Sequence, residues 1–544
     1  MNWWKSVVVY QIYPKSFYDA NGDGIGDLKG IEMKIPYLAK LGIGAIWISP
    51  FFSSPMVDNG YDVADYCQIN HIYGTMDDFD SLAKTCQKYQ IKIIVDFVAN
   101  HTSTQHQWFQ KALANDPQYK NYYYISSKPV WEKTSVFGGQ AWTKINETEY
   151  YLHSFAVEQA DLNWTNLQVR NEFKKIMDFW IDKGIGGIRF DVIDDIGKTL
   201  DPEKIKQGIN VDSDRLHQYV KEWRSESKWK DLDLLTVGEC WDASVDKAIL
   251  YSDPDRQEMA MVFGFEHIQT NWTKNKWETT KLDLVKFKSV IAKWQTGLFE
   301  KGWLGLFFNN HDLPRMISNF GDQNYWLASG KTLALTLHIL QGTPFIYQGE
   351  EIGMTNCQFN DLDEHDDIEI HQLYQAMTNE NPNYTKAQHL AYVAKMNRDN
   401  ARTPMQWSKA KHAGFTINQK PWIKVNPNYE NINVEAALND PDSLFYWYQK
   451  LIALRKANQE NDLNQILING SFELIDPDHQ QIFAYKRIWN NQQLIMIANW
   501  SDQTVDYQFD TNQIILNTHK EIKSNQLKPW QAILIYQKYN QKQC

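Results

Sequence analysis

Cysteine is scarce and scattered: Cys67, Cys86, Cys240, Cys357 and Cys544 in 544 residues. No Cys-x-x-Cys pair or His-rich run accompanies them, which excludes a disulfide framework and a zinc knot. A basic excess is also missing. The 55 Lys and Arg against 66 Asp and Glu leave a net charge of −11, which argues against nucleic acid, a partner that calls for a basic face. No apolar run reaches the length of a bilayer span, so no membrane partner is expected. The opening "MNWWKSVVVYQIYPKSF" has only a short apolar run and no small-residue cleavage site after it, unlike a signal peptide. A reducing, cytoplasmic location and a monomeric state are expected. Repeats and low-complexity segments are absent as well.

Short apolar runs alternate with amphipathic ones. Strand-like runs lie at 7–13, 45–49, 91–98, 187–193, 234–239, 259–265, 305–310 and 343–349. Helical patterns such as "FDSLAKTCQKYQ", "NEFKKIMDFWIDKG" and "GKTLALTLHILQG" lie between most of them. Eight strands alternating with helices predict an α/β fold, a (β/α)8 TIM barrel. An open doubly wound sheet is the alternative, but no glycine-rich phosphate loop follows the first strand. Residues 101–168, rich in Tyr, Trp, Asn and Gln, read as a subdomain inserted after strand 3. Residues 350–440 form a second long excursion before a closing helix, "DSLFYWYQKLIALRKAN". From 467 onward, short alternating runs predict a C-terminal antiparallel β-sandwich domain. The expected division is 1–100 and 169–466 for the barrel, 101–168 for the insertion and 467–544 for the sandwich.

The segment Gly187-Ile188-Arg189-Phe190-Asp191-Val192-Ile193 reads as a buried strand, yet it carries a cation and a carboxylate. Residues two apart on a strand share a face, and buried charges are costly unless paired or used. Other barrel strands also end in polar groups: Asp96 to His101, Glu239, and Asn309 to Asp312. In such barrels the C-terminal strand ends meet at one mouth, where catalysis occurs. Asp96 and Asn100 could instead fix a loop, and Asp312 could cap a helix. For Asp191 and Glu239 the structural alternative is poor.

Three carboxylates around one cavity suggest glycoside chemistry. Asp191, beside Arg189, is expected to stay ionised as the attacking group. Glu239, followed by Cys240 and Trp241, is expected to sit in an apolar setting that raises its pKa for proton donation. Asp312 is left to bind sugar hydroxyls, with His101 and His311 as partners of the same ring.

The segments "DFVANH", "GIRFDVI", "TVGE" and "NNHD", in that order, resemble the four signature regions of the α-amylase superfamily of glycoside hydrolases, family 13. Within it, "NGDGIGDLKGI", "DNGYD", "FGGQAW", "YQGEEIGMTN" and "RDNARTPMQW" are most similar to the oligo-1,6-glucosidase and dextran glucosidase group. The resemblance covers essentially the whole chain. It implies Asp191 as nucleophile, Glu239 as general acid/base and Asp312 as transition-state stabiliser, with retention of anomeric configuration. It places Asp58, Tyr61, Asp96, His101, Arg189, His311 and Arg398 around a terminal glucose and Trp241 under the next sugar. In "RDNART" either Arg398 or Arg402 is left to pair with Asp58. Val192, after the nucleophile, resembles the α-1,6-acting members, whereas threonine or alanine is usual in the α-1,4-acting ones.

Three positions depart from the group's usual pattern: Ala160 for proline, Cys240 for threonine and Ser408 for aspartate. None removes a catalytic group. The expected function is an exo-acting α-1,6-glucosidase on α-linked gluco-oligosaccharides. Its rivals are a trehalose-6-phosphate hydrolase, an α-1,4-glucosidase or sucrose-isomerising relative, and a non-catalytic binding barrel.

One further motif carries oxygen donors at alternate positions: Asp19, Asn21, Asp23 and Asp27, with Ile25 able to offer its carbonyl. Such spacing suits a hard cation. Position twelve is Gly30 rather than glutamate, which excludes a full EF-hand. The family resemblance implies a structural Ca²⁺ there, with Mg²⁺ the alternative. A glycine-rich turn solvated by aspartates is the other reading.

Overall fold

The structure, a computed structural model, describes residues 2–130, 134–201, 203–204, 211, 213–456, 463–523 and 525–538; Cys544 lies outside them. Eight parallel strands form the core: β1 Val9–Ile12, β2 Ala45–Ile48, β3 Lys92–Val98, β4 Gly187–Asp191, β5 Leu235–Cys240, β6 Met261–Gly264, β7 Gly305–Leu306 and β8 Thr343–Tyr347. They pair in the order β6-β5-β4-β3-β2-β1-β8-β7, and a parallel bridge between Val262 and Leu304 joins the two ends. The predicted (β/α)8 barrel is therefore what forms. Both faces of these strands are covered, so they need continuous Ile, Val, Leu and Phe rather than alternation.

Helices alternate with the strands and carry their own stops. Asp27 caps Leu28–Leu41 by accepting the Gly30 N–H at 2.6 Å, and Gly42 ends that helix at φ 104°, the left-handed conformation that glycine adopts without strain. Thr75 and Asp78 close a capping box on Met76–Lys88.

Strand register sets the height of each polar side chain. Arg189 lies opposite Asp96 on β3 and opposite Val237 on β5. Asp191 and Glu239 each lie two residues further along, so both project at the level above. At the start of β4 the neighbouring strand comes so close that a Cβ on Gly187 would lie 2.2 Å from Leu235 O.

The excursion after β3 leaves and returns as a two-stranded antiparallel pair, with Asp161 opposite His101 and Gln159 opposite Ser103. This pairing brings Gln159 and Asp161 to the barrel mouth. The excursion after β8 contains helices Ile368–Glu380, Lys386–Val393 and Asp399–Arg402, and the closing helix is Leu444–Arg455.

The C-terminal part is a five-stranded antiparallel sheet, and among the described residues its second layer is the pair Val505–Asp506 and Gln526–Leu527. Ile482, Ala484, Ile497, Ile533 and Ile535 pack against Val505 and Leu527 on that side. The barrel covers the opposite face, with Phe287 against Phe483. Buried Lys288 from the barrel donates to the carbonyls of Asp476, His479 and Ile482. A larger second layer is unnecessary because the barrel supplies most of the sandwich's apolar cover.

Candidate active site

Asp191, Glu239 and Asp312 open onto one cavity of about 120 Å³, walled also by Asp58, Tyr61, His101, Val192, Trp241 and Arg398. Three predicted residues, Asp96, Arg189 and His311, do not line this cavity; they are buried and hydrogen-bond to Tyr61 or Asp191, which do.

Arg189 is the hub of one side. Its Nη1 donates to Asp96 Oδ1 at 2.7 Å and to Asp191 Oδ1 at 2.6 Å, and its Nη2 lies 2.6 Å from Glu239 Oε2. Asp96 Oδ2 also accepts from Trp47 Nε1 and the Tyr61 hydroxyl, both at 3.0 Å. One guanidinium thus serves three carboxylates. The contact of Arg189 with Asp191 is as expected, but the same guanidinium also meets Glu239, which was expected to sit in an apolar setting. Burial pushes the Asp191 carboxyl well above the usual carboxylate range; Arg189 opposes the shift, while Glu239 and Asp96 add to it. Glu239 Oε2 accepts a further bond from the Val192 N–H at 3.1 Å. Val192 makes that bond at φ 35°, a strained conformation for a β-branched residue and of a kind that clusters at functional sites. The residue suspected of setting linkage preference is therefore also held by the candidate proton donor.

Asp312 occupies the opposite setting. Arg402 Nη2 donates to its Oδ1 at 2.9 Å and Arg398 Nη1 at 3.4 Å, and His311 Nε2 lies 3.0 Å from Oδ2. Burial alone would raise this carboxyl, but His311 and the two arginines outweigh it and hold it well below the usual range. His311 is placed by stacking on Tyr61 at 5.3 Å and 2° and by Gln11 Nε2, 2.8 Å from its Nδ1.

Arg398 reaches Asp58 at 3.3 Å, yet its tight partner is Asp367, which accepts from Nη2 at 2.5 Å and Nε at 2.9 Å. Arg402 makes no bond to Asp58; it holds Asp312 and the His311 carbonyl. Of the two arginines left to pair with Asp58, it is therefore Arg398 that does so; sequence reasoning missed Asp367 and the contact of Arg402 with Asp312. It also missed Gln159, which donates to Asp58 Oδ2 at 3.2 Å, and the pair Lys276–Glu369 at the pocket wall, 2.5 Å apart. Trp241 stacks on Phe265, with centroids 3.9 Å apart.

The predicted metal loop is closed by its own hydrogen bonds. Asp19 accepts the N–H groups of Gly22 and Gly24, Asn21 that of Asp23, Asp23 that of Ile25, and Asp27 those of Ala20 and Gly30. The all-oxygen donor set fits the chemistry of a hard cation. Among the described residues, however, no three His, Cys, Asp or Glu side chains converge as a metal cage.

The sequence pattern of the α-amylase catalytic domain matches residues 11–463. The chain belongs to that family. It is 47% identical over 545 residues to a glucan 1,6-alpha-glucosidase of Streptococcus pneumoniae, covering 98% of this chain and 99% of that protein. An oligo-1,6-glucosidase of Heyndrickxia coagulans is 44% identical over 98% of this chain and 99% of its own length. Among solved structures, a trehalose-6-phosphate hydrolase of Bacillus licheniformis superposes with a TM-score of 0.91 at 39% identity, over 98% of this chain and all of that one. Membership of the α-amylase family makes the chain a glycoside hydrolase, and no helix among the described residues is long and apolar enough to cross a membrane.

Proposed function

We propose that the chain is a retaining, exo-acting α-1,6-glucosidase that releases glucose from the non-reducing ends of isomalto-oligosaccharides. The observation that carries this is the convergence of Asp191, Glu239 and Asp312 on one pocket, with the first two on neighbouring nitrogens of a single guanidinium. So close a pair suits the retaining geometry of roughly 5–5.5 Å better than the wider spacing that admits a water.

In this reading Asp191 Oδ2, which makes no hydrogen bond among the described residues, attacks the anomeric carbon. Arg189 holds the other oxygen and so aims the free one. Glu239 gives its proton to the departing glycosidic oxygen, then takes one from the water that cleaves the glucosyl ester. Asp312 binds ring hydroxyls, and its negative charge favours the oxocarbenium-like state. The Asp58–Arg398–Asp367 chain closes one end of the pocket, which suits binding of a chain end. Val192 forms a branched apolar wall beside the acid and is proposed to disfavour the α-1,4 approach.

The pocket's charge disfavours a phosphorylated disaccharide. Its wall carries five carboxylates, from Asp58, Asp191, Glu239, Asp312 and Glu369, against the cations of Lys276 and Arg398. Both cations are already paired, with Glu369 and Asp367. The deciding experiment is hydrolysis of isomaltose, isomaltotriose, panose, maltose and trehalose 6-phosphate side by side. The isomalto-sugars should lead; a clear lead for maltose or the phosphorylated sugar would overturn the linkage assignment.

For the 19–27 loop we propose a structural Ca²⁺, with Mg²⁺ the alternative and no part in the chemistry. The support is the alternation of oxygen donors. Added Ca²⁺ should raise the Tm, and a chelator should reverse the rise; an unchanged Tm would leave the loop a plain turn.

A further inference from the structure

Lys198 is a buried cation, 4% exposed, just after the turn Ile193–Gly197, and the sugar chemistry above does not use it. Its Nζ donates to Asn100 Oδ1 and, at 2.8 Å, to the Asp195 carbonyl. It also lies 3.2 Å from Asp161 Oδ2. An ammonium only donates, so Asn100 must turn its oxygen towards Lys198. The Asn100 amide nitrogen then faces Asp161 Oδ1 at 3.3 Å and His101 Nδ1 at 2.9 Å. A carboxylate only accepts, which fixes the amide from that side too. Facing an N–H, His101 Nδ1 must offer its lone pair. The ring's proton is left on Nε2, 3.1 Å from the Tyr61 carbonyl. Burial holds the ring's pKa down, which favours its neutral form.

One contact pulls the other way. Gln159 Nε2 lies 3.1 Å from His101 Nε2, and Gln159 cannot turn because its oxygen accepts the Ala156 N–H at 2.9 Å. Were Asn100 free to rotate, the opposite tautomer would form, with Nδ1–H on Asn100 Oδ1 and Nε2 accepting from Gln159. The neighbours of the ring therefore support two states, and the Asn100 amide selects between them, held through its oxygen by the Lys198 cation and through its nitrogen by the longer 3.3 Å bond to Asp161.

We infer that Lys198, acting through Asn100, fixes His101 in the tautomer that carries its proton on Nε2, so the pocket wall presents a hydrogen-bond donor beside Asp58. Lys198 and Asn100 are positioning residues in this scheme, which rests on the reading of the cavity as a glucose pocket. A sugar hydroxyl there shares the His101 Nε2–H with the Tyr61 carbonyl and gives its own proton to Asp58.

The test uses the full chain labelled with ¹⁵N-histidine. Long-range ¹H–¹⁵N spectra report which ring nitrogen is protonated, and the His101 signals are assigned by their loss in His101→Gln. Wild type and Lys198→Arg should show the proton on Nε2 from pH 6 to 8. Lys198→Met should move a measurable share to Nδ1. It should also raise KM roughly three- to tenfold, the scale of one neutral hydrogen bond, with a smaller effect on kcat. Lys198→Gln, which can turn either amide atom to Asn100 and leaves no apolar gap, should give a mixture and serves if the methionine variant does not fold. A proton on Nδ1 in the wild type would overturn the inference by itself. So would a cooperatively melting Lys198→Met or Lys198→Gln protein whose ring stays wholly in the wild-type state. These spectra need no turnover, so their failure leaves the glucosidase reading standing, and failure of the hydrolysis panel leaves them intact.

Discussion

Two carboxylates share one pocket in opposite electrostatic settings. Around Asp191, three carboxylates compete for the Arg189 guanidinium. Around Asp312, two guanidiniums and an imidazole converge on one carboxylate. In the proposed reaction, the cation-poor side is the one that meets positive charge, as the anomeric carbon becomes oxocarbenium-like, and where Asp191 then loses its charge by bonding to that carbon. A site prearranged for that change stabilises the transition state more than the empty pocket. The cation-rich side keeps its carboxylate ionised, as suits a group proposed to act through its negative charge without forming a bond to the sugar.

The sharpest way to break this contrast is Asp191→Asn. Activity should fall by roughly 10⁴- to 10⁶-fold, the scale of losing a hydrolase nucleophile. Stability should nevertheless rise at pH 7. The folded-state pKa of Asp191 lies above its unfolded value of about 3.9, so stability is lost as pH rises through that window, and the full penalty persists above it. Asparagine removes the penalty, and melting curves at pH 4 and pH 7 would show it. Asp312→Asn should do the reverse. Its folded-state pKa is depressed, so its stabilisation is present above about pH 3.9 and lost as pH falls. The variant should melt lower than wild type at pH 7, with the gap closing in acid, and kcat should drop roughly 10²- to 10³-fold.

Arg189→Met would strand the carboxylates of Asp96, Asp191 and Glu239. Removing one partner of a buried ion pair costs about 3–5 kcal/mol, which denaturant titration would read. Val192→Ala should give the smallest effect. Trimming the branched wall should shift the ratio of isomaltose to maltose hydrolysis towards maltose by roughly tenfold, the range set by small changes in an apolar pocket.

Much of this pocket was legible in the chain because its main carboxylates end apolar runs. Asp191 and Glu239 follow strands whose burial the sequence announces, and alternation alone put Arg189 and Asp191 on one face. The fold was legible for the same reason, as eight apolar runs of strand length. What stayed hidden were partners set by folding across long separations. Asp367 meets Arg398 through the excursion after β8, and nothing in "HDDIEI" distinguishes it from a solvated helix cap. Gln159 and Asp161 reach His101 only through an antiparallel pairing across more than fifty residues. The sharing of Arg189 was also out of reach, because strand register, which the sequence does not state, decides which carboxylates a guanidinium meets. The small size of the sandwich's second layer was not legible, because the barrel that covers the other face belongs to a distant part of the chain.

The stereochemistry of the first product tests the paired role of Asp191 and Glu239 most directly. Proton NMR in the first minutes of isomaltose hydrolysis should show α-glucose appearing before mutarotation produces the β-anomer. Initial release of β-glucose would mean that water, and not Asp191, attacks the anomeric carbon.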